Sequence, residues 1–389
     1  MPILSILIPT KSNAATIRST VDTARAVAIS DAEIVVQDCG STDDTEREIR
    51  NIADDRLRYY RSPPGISMTE NWNAGINHCH GDYICIVGAD DGVSPYLAEA
   101  VAWAVRNNIS AIVPSFGASY AWPRADRRGG ETAGVLTMGT SYTGAISCVS
   151  ARGALEAYCR TGADYGESLK LPSLYRCLVS RTLLNKLREY LPYYIAGTAP
   201  DIYSSVALGR VAANWVHLDY PLFLPGWAAE SNTASAVLGQ FDKDLARNSH
   251  IKEYCNLRWP SSVPEFASPA TLVAESTLLA LADLDCVELL REFNYYALYT
   301  RYFIGTPRYW RATWKCLSSL SRSPASGPGA VAATARLGWE VARYCCRCVR
   351  SGVQNRLKKR HAVRLFSPVQ TVEQAVETLR LAVPQPRFH

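Results

Sequence analysis

The stretch YICIVGADDGVSP, Tyr83 to Pro95, runs apolar residues straight into two adjacent acids, Asp90 and Asp91. Paired carboxylates at such a place suit a hard divalent cation that keeps several waters and bridges phosphate oxygens. A cation held there would neutralise charge on a departing diphosphate. Asp-Asp-Gly is also ordinary turn chemistry, since both residue types form turns readily. A second acid, Asp38, ends another apolar run in VQDCGSTDDT, Val36 to Thr45. Its carboxylate can accept from a nucleobase N–H, or it can satisfy amides of its own loop. Both readings stay open. Pro9-Thr10 is a third polar point at the end of an apolar run, LSILIP.

The elements that must position these residues alternate. Leu4 to Pro9 reads as a short buried strand of the kind found in parallel sheets. A helix follows, with Ile17, Val21, Ala24 and Ala28 on one face and Ser12 or Asn13 as cap. Further strands are expected at Glu33–Val36, Leu57–Arg61, Tyr83–Val87 and Ala111–Pro114. Helices are expected near Asp44, at Thr69–Cys79, and at Tyr96–Arg106 after the Ser94-Pro95 cap. This alternation predicts an α/β, doubly wound sheet. Ligands of such sheets bind beyond the carboxyl ends of the strands. Pro9-Thr10, Asp38–Asp43 and Asp90-Asp91 then fall on one edge. That convergence favours the cation reading of the acid pair over the turn reading.

The chain has 389 residues, 48% hydrophobic and 20% charged, with a net charge of +5. That is enough for a real core and more than one domain. The twelve cysteines include no CxxC pair, which argues against zinc ribbons and thioredoxin-like redox sites. No signal-peptide pattern opens the chain, so the thiols are expected to be reduced and the protein cytoplasmic. No apolar run reaches the roughly 18 residues of a membrane span, so membrane contact is expected to be peripheral.

The first hundred or so residues resemble an inverting family 2 glycosyltransferase of the GT-A fold. SILIPTKSN is similar to that family's opening strand and VVQDCGSTDDT to its nucleotide loop. NAGINHCHGDYICIVGADD has Asn73, Gly75, Gly81 and the acid pair at the family's spacing. The resemblance implies Pro9, Thr10, Asp38, Asn73 and Asp90 on a nucleotide-diphospho-sugar. It implies Mn²⁺ or Mg²⁺ on Asp90, with Asp91 beside it. The common family pattern has an acid where this chain has Gly88. The closer match is a G-x-D-D-G subgroup found in bacterial surface-polysaccharide enzymes. GTAPDIYSSVALGR is similar to the family's catalytic helix start, which implies Asp201 as base toward the acceptor hydroxyl. An N-cap aspartate is the alternative, and Asp164 and Asp219 are weaker base candidates. Tyr120 and Trp122 can stack on an acceptor sugar or belong to the core. His217 reads as a structural histidine.

Five segments are expected. Residues 1–115 form the nucleotide-sugar half and 116–235 the acceptor half of a GT-A domain. Residues 236–320 form a helical extension, including a helical Ala270–Tyr302. Residues 321–330 form a linker, and 331–389 form basic amphipathic helices. Residues 336–364 carry nine Lys or Arg against Glu340. That segment reads either as an interfacial helix on anionic lipid or as a solvated helix on the protein surface. Nucleic acid is not expected, because no binding motif accompanies the charge.

The function expected is sugar transfer from the nucleotide donor to a hydroxyl of a glycan or polyprenyl-linked glycan. Polysaccharide biosynthesis is its expected setting. A sugar nucleotidyltransferase is the rival enzyme, but TKSNAAT stands where its glycine-rich, arginine-containing loop would be. A non-catalytic sugar-nucleotide or glycan-binding protein is the rival of another class.

Overall fold

A computed structural model describes residues 1–123, 134–139, 141–228, 242–248, 251–255, 257–322, 330–358 and 364–388. The expected alternation is present at the start. β1 (Leu4–Thr10), α1 (Ile17–Arg25), β2 (Ala32–Asp38), α2 (Thr45–Arg50), β3 (Leu57–Arg61), α3 (Met68–Asn77) and β4 (Tyr83–Ile86) follow one another. Next come β5 (Gly92–Val93), α4 (Leu97–Arg106), β6 (Ala111–Pro114), β7 (Ala118–Ala121), β8 (Val135–Met138) and β9 (Ile146–Ser150). The middle of the chain adds α5 (Ala151–Arg160), α6 (Tyr165–Ser168), β10 (Leu178–Ser180), α7 (Arg181–Arg188) and α8 (Pro200–Val211). β11 (Asn214–Leu218), β12 (Phe223–Leu224) and β13 (Gly226–Trp227) complete it.

The main sheet has the order β3-β2-β1-β4-β10-β6-β11-β9. Its first four strands run parallel, whereas β10 lies antiparallel between β4 and β6. β4 and β6 are therefore not neighbours. β10 is three residues long, LVS, too short to carry a periodic signal. The sheet is covered on both faces, as its apolar strands require. Leu7, Val35, Ile84 and Ile86 enter one core, while Ile6, Ile8, Ile34, Cys85 and Val87 enter the other. Full burial of each such side chain is worth about 1.5–3 kcal/mol.

The C-terminal region is mainly helical, in keeping with the GT-A expectation. The Ala270–Tyr302 pattern resolves into α9 (Pro269–Asp283), α10 (Val287–Glu292) and α11 (Tyr295–Gly305). Ser268 caps α9 reciprocally with Thr271, and Pro269 starts it. Asp285, at φ +49°, breaks the chain between α9 and α10. α12 (Trp310–Arg322) and α13 (Ala330–Lys358) follow, and then β14 (Arg364–Phe366) and α14 (Val372–Ala382). The expected linker overlaps both flanking helices. Its residues 323–329 lie outside the described residues.

Residues 331–389, expected as basic amphipathic helices, are divided between two surroundings. β14 pairs with β8, and Val372, Val376, Leu379 and Val383 are buried in the core that holds α1 and α4. A Cβ on Gly92, directly after the acid pair, would meet Val376 at 2.6 Å and Val372 at 2.9 Å. The last helix thus closes the back of the acid turn. α13 behaves differently. Ala333, Glu340 and, less fully, Leu337, Val341 and Tyr344 face the protein, mainly α11, while Cys345, Cys346, Cys348 and Val349 are exposed. The helix expected to be amphipathic is therefore split between a packed edge and an open one. Lys359 and Arg360 fall outside the described residues.

Candidate active site

Strand register brings the three polar clusters to one edge. Thr10 is the partner of Asp38, and the Cys39 amide donates to the Thr10 carbonyl at 2.9 Å. The Val87 amide donates to the Leu7 carbonyl, which delivers the Gly88–Asp91 turn to the same edge. Pro9 is buried beside Thr10, whose hydroxyl accepts from the Asn13 side chain at 3.3 Å. Asn13 and Ser12 do not cap α1 with their side chains; the helix starts later, from Thr16.

Asp38 is fully buried, and both its oxygens are in use. Oδ1 accepts from the Ser41 amide at 2.8 Å and hydroxyl at 2.6 Å, and Oδ2 accepts from the Tyr59 hydroxyl at 2.6 Å. The loop-amide reading is the one this geometry supports. The expected nucleobase contact finds a carboxylate that is fully buried and already closes its own loop. Asn73 is likewise occupied. It donates to the Thr69 and Ile195 carbonyls and accepts from the Tyr194 and Ile195 amides. It ties α3 to the segment leading into α8, so a sugar-nucleotide contact from it is not supported.

The two acids at β4 differ sharply. Asp91 is fully buried and saturated. The Arg176 guanidinium grips it through Nε at 2.8 Å and an Nη at 2.7 Å. The amides of Gly88 and Gly226 and the Tyr175 hydroxyl also donate to it. Such a buried, bidentate pair is satisfied without a cation. Asp91, expected beside the metal-binding Asp90 as helper or further ligand, anchors the turn. Asp90 is half-buried. Its Oδ2 accepts from the Ala228 amide at 3.1 Å, and Oδ1 has no hydrogen bond among the described residues. Burial, and then the neighbouring Asp91, raise its carboxyl well above the usual carboxylate range. An under-coordinated hard oxygen whose charge is disfavoured is a place a cation would stabilise. Asp90 therefore fits a divalent ion that takes one protein carboxylate and completes its shell with phosphate and water. Among the described residues no group of three His, Cys, Asp or Glu could enclose a metal unaided.

The glycine in the acid's usual place has a physical reason. A Cβ on Gly88 would lie 2.9 Å from the Tyr175 hydroxyl and 3.0 Å from a carboxylate oxygen of each acid. Gly226 is tighter, since its Cβ would meet the Asp90 carbonyl at 1.8 Å. Trp122 donates from Nε1 to that same carbonyl at 2.8 Å. Trp122 and Tyr120 are buried, and the Tyr120 hydroxyl donates to the Val369 carbonyl. Their expected stacking on an acceptor is corrected, because the core and the C-terminal strap already cover them.

Asp201 is the second residue of α8, after Pro200, and the cap position is Ala199. The N-cap alternative is thereby removed. Its carbonyl accepts from the hydroxyls of Ser173, Ser204 and Ser205 at 3.1, 2.9 and 2.9 Å, which fixes its backbone. Asp201 lines a cleft with Tyr165, Tyr175 and Arg176, the last two being the partners of Asp91. The weaker base candidates sit elsewhere. Asp219 accepts from Thr143 and Ser115, and these bonds, acting against burial, hold its carboxyl below the usual range. Asp164 lies 4.0 Å from Arg301. His217 is structural, with Nδ1 3.1 Å from the Val113 carbonyl.

No motif in the sequence marks Arg176, Tyr175 or Gly226 as site residues. Arg176 adopts φ +57°, an unusual conformation for a bulky residue. Nothing in LPSLYRCLVSR shows that it reaches an acid 85 residues away.

Residues 5–150 match the family model described as Glycosyl transferase family 2. A Campylobacter jejuni protein named GalNAc(5)-diNAcBac-PP-undecaprenol beta-1,3-glucosyltransferase is 28% identical over 99 residues, which is 23% of this chain. The chain spans about 30% of the length of that relative. Two solved structures are similar at greater distance. One is Staphylococcus aureus TarS 1–349, 13% identical, covering 90% of this chain and 92% of that one at TM-score 0.44. The other is the mannosyltransferase PcManGT from Pyrobaculum calidifontis in complex with GDP-Man and Mn²⁺, 15% identical, covering 98% and 86% at TM-score 0.41. Residues 5–150, the segment that matches the family 2 glycosyltransferase model, hold Asp38, Asp90 and Asp91.

Proposed function

We propose that this protein transfers a sugar from a nucleotide-diphospho-sugar to an acceptor hydroxyl of a glycan or lipid-linked glycan, with inversion. The observation that carries this reading is the link between two acids with different duties. The Tyr175–Arg176 pair bonds Asp91, next to Asp90, and also lines the cleft holding Asp201. Asp90 would hold Mn²⁺ or Mg²⁺, which when bound offsets charge on the diphosphate. Arg176 stays bound to Asp91, so Asp90 keeps its place on the edge. Asp201 accepts the acceptor's hydroxyl proton. The freed oxygen forms the new bond to the anomeric carbon from the face opposite the nucleotide. The old bond to the diphosphate breaks, and its electron pair leaves with the nucleoside diphosphate. The names of the Campylobacter relative and of the S. aureus TarS complex with UDP-GlcNAc support the classes of acceptor and donor.

A thermal-shift screen of sugar nucleotides with Mn²⁺ or Mg²⁺, paired with hydrolysis and transfer assays, tests the proposal. A donor at a hundred times its Kd should add about 2.7 kcal/mol of stability. Asp90→Asn should lose that shift. Asp201→Asn should keep it and lose about 10²–10⁴ in rate. Undiminished transfer by Asp201→Asn would remove the base assignment. A shift without turnover in the wild type would favour the non-catalytic binder.

We also propose that the exposed edge of α13 rests on an anionic membrane surface. Among the described residues no helix is long and apolar enough to cross one. Arg347 and Val349 lie on the open edge with the three cysteines, an arrangement suited to lipid headgroups. Deleting everything after Ser321 would also remove core residues of α14, so substitution is the cleaner test. Arg347→Gln/Arg350→Gln/Arg356→Gln should reduce flotation with phosphatidylglycerol vesicles several-fold. Unchanged flotation would end this proposal.

A further inference from the structure

We infer that the C-terminal helical region holds a second saccharide-binding site, apart from the Asp90–Asp201 edge. A cavity of about 920 Å³ lies between the end of α5, the α10–α11 junction and helices α12 and α13. Its volume is in the range of ligand pockets. Its walls include Arg291, Asn294, Arg336, Trp339 and Glu340. Every lining residue lies beyond residue 150, outside the segment that matches the family.

Glu340 is the observation that points to a ligand. Its side chain is only 8% exposed. Oε1 accepts from Asn294 at 3.0 Å and from Arg343 at 3.1 Å. Oε2 is buried and accepts no hydrogen bond among the described residues. A buried carboxylate oxygen left without a donor is costly, and a ligand hydroxyl would supply one. Beside it stands Trp339, 66% exposed, an unusual position for the largest apolar side chain. An open indole face is a platform for the C–H face of a sugar ring. Arg291 and Arg336 add planar forks of donors toward ring and hydroxyl oxygens.

The combination selects among ligand classes. A phosphate or other strong anion would meet the carboxylates of Glu340 and Glu292 set among Arg160, Arg291 and Arg336. An acyl chain would strand the guanidinium groups against hydrocarbon. A sugar hydroxyl donates to Glu340 and accepts from arginine with the same atom. The class assigned is therefore a neutral oligosaccharide. One part of a glycan would dock here while another reacts at the Asp90–Asp201 edge. The use of the site rests on the transferase reading; binding itself does not.

The test exposes the full-length chain to a printed array of neutral and acidic bacterial oligosaccharides. The best-retained neutral oligosaccharide is then titrated by calorimetry. Wild type and Asp201→Asn should bind it alike. Trp339→Ala should bind it at least ten-fold more weakly, with sugar-nucleotide hydrolysis unchanged. Trp339 is exposed, so its loss should leave folding intact; Glu340→Gln, of the same shape, should weaken binding too. No retained oligosaccharide overturns the inference. So does wild-type affinity in both Trp339→Ala and Glu340→Gln, retention of acidic glycans alone, or loss of binding in Asp201→Asn. Failure of the transferase reading would appear separately, as no turnover of any sugar nucleotide by the wild type.

Discussion

The loop at Asp38 and the turn at Asp90–Asp91 look alike in sequence, each being an apolar strand that ends in acid and glycine. They are built in opposite ways. Asp38 is held by Ser41 and Tyr59, 3 and 21 residues away. Asp91 is held by Tyr175, Arg176 and Gly226, 84, 85 and 135 residues away. Asp90 is braced by Trp122 and Ala228, and the turn is backed by Val372 and Val376. The first loop closes on itself. The second exists only once the rest of the chain has folded around it. A turn assembled that way leaves one acid saturated and the other under-coordinated, and the difference between Asp91 and Asp90 follows from it.

The larger effect is expected where the holding is long-range. Arg176→Met removes the partner of a fully buried carboxylate, which should cost about 3–5 kcal/mol. Arg176→Lys keeps the charge but loses the two-pronged grip, so it should lie between Met and wild type. Denaturant unfolding measures both. If Arg176→Met is as stable as wild type, the turn is as self-contained as the Asp38 loop and the contrast disappears.

The same contrast decides what was legible in the sequence. The strands β1 to β4 announce themselves as apolar runs, and each acid is visible at its strand's end. The shared edge followed from topology alone. Occupancy of each acid was not visible, because it depends on donors that arrive from elsewhere. Asp38 and Asn73 read as ligand contacts, yet their acceptors serve the fold. Gly88 read as a missing acid, whereas Tyr175 fills the space an acid would need. The C-terminal strap was misread for a related reason. Its basic composition dominates the segment, while the few apolar residues that matter, Val372, Val376 and Leu379, find their partner in a core more than two hundred residues earlier in the chain. Asp201 is the exception. Pro-Asp at a helix start is a local signal, and the structure places that aspartate in the first turn of α8, one residue past Pro200.

The smaller effect sharpens the comparison from the local side. Asp38→Asn keeps an oxygen for the Ser41 amide and hydroxyl but turns an NH₂ toward the Tyr59 hydroxyl. The loss is one charge-assisted hydrogen bond, worth about 1.5–3 kcal/mol. Because the loop closes on itself, that cost should appear as stability, and UDP or GDP should bind the folded variant within a few-fold of wild type. Unfolding and nucleotide titration on the same sample separate the two terms. Unchanged stability with a large loss of nucleotide affinity would return Asp38 to the ligand. Its present hydrogen bonds to Ser41 and Tyr59 would then be a resting arrangement that the nucleobase replaces.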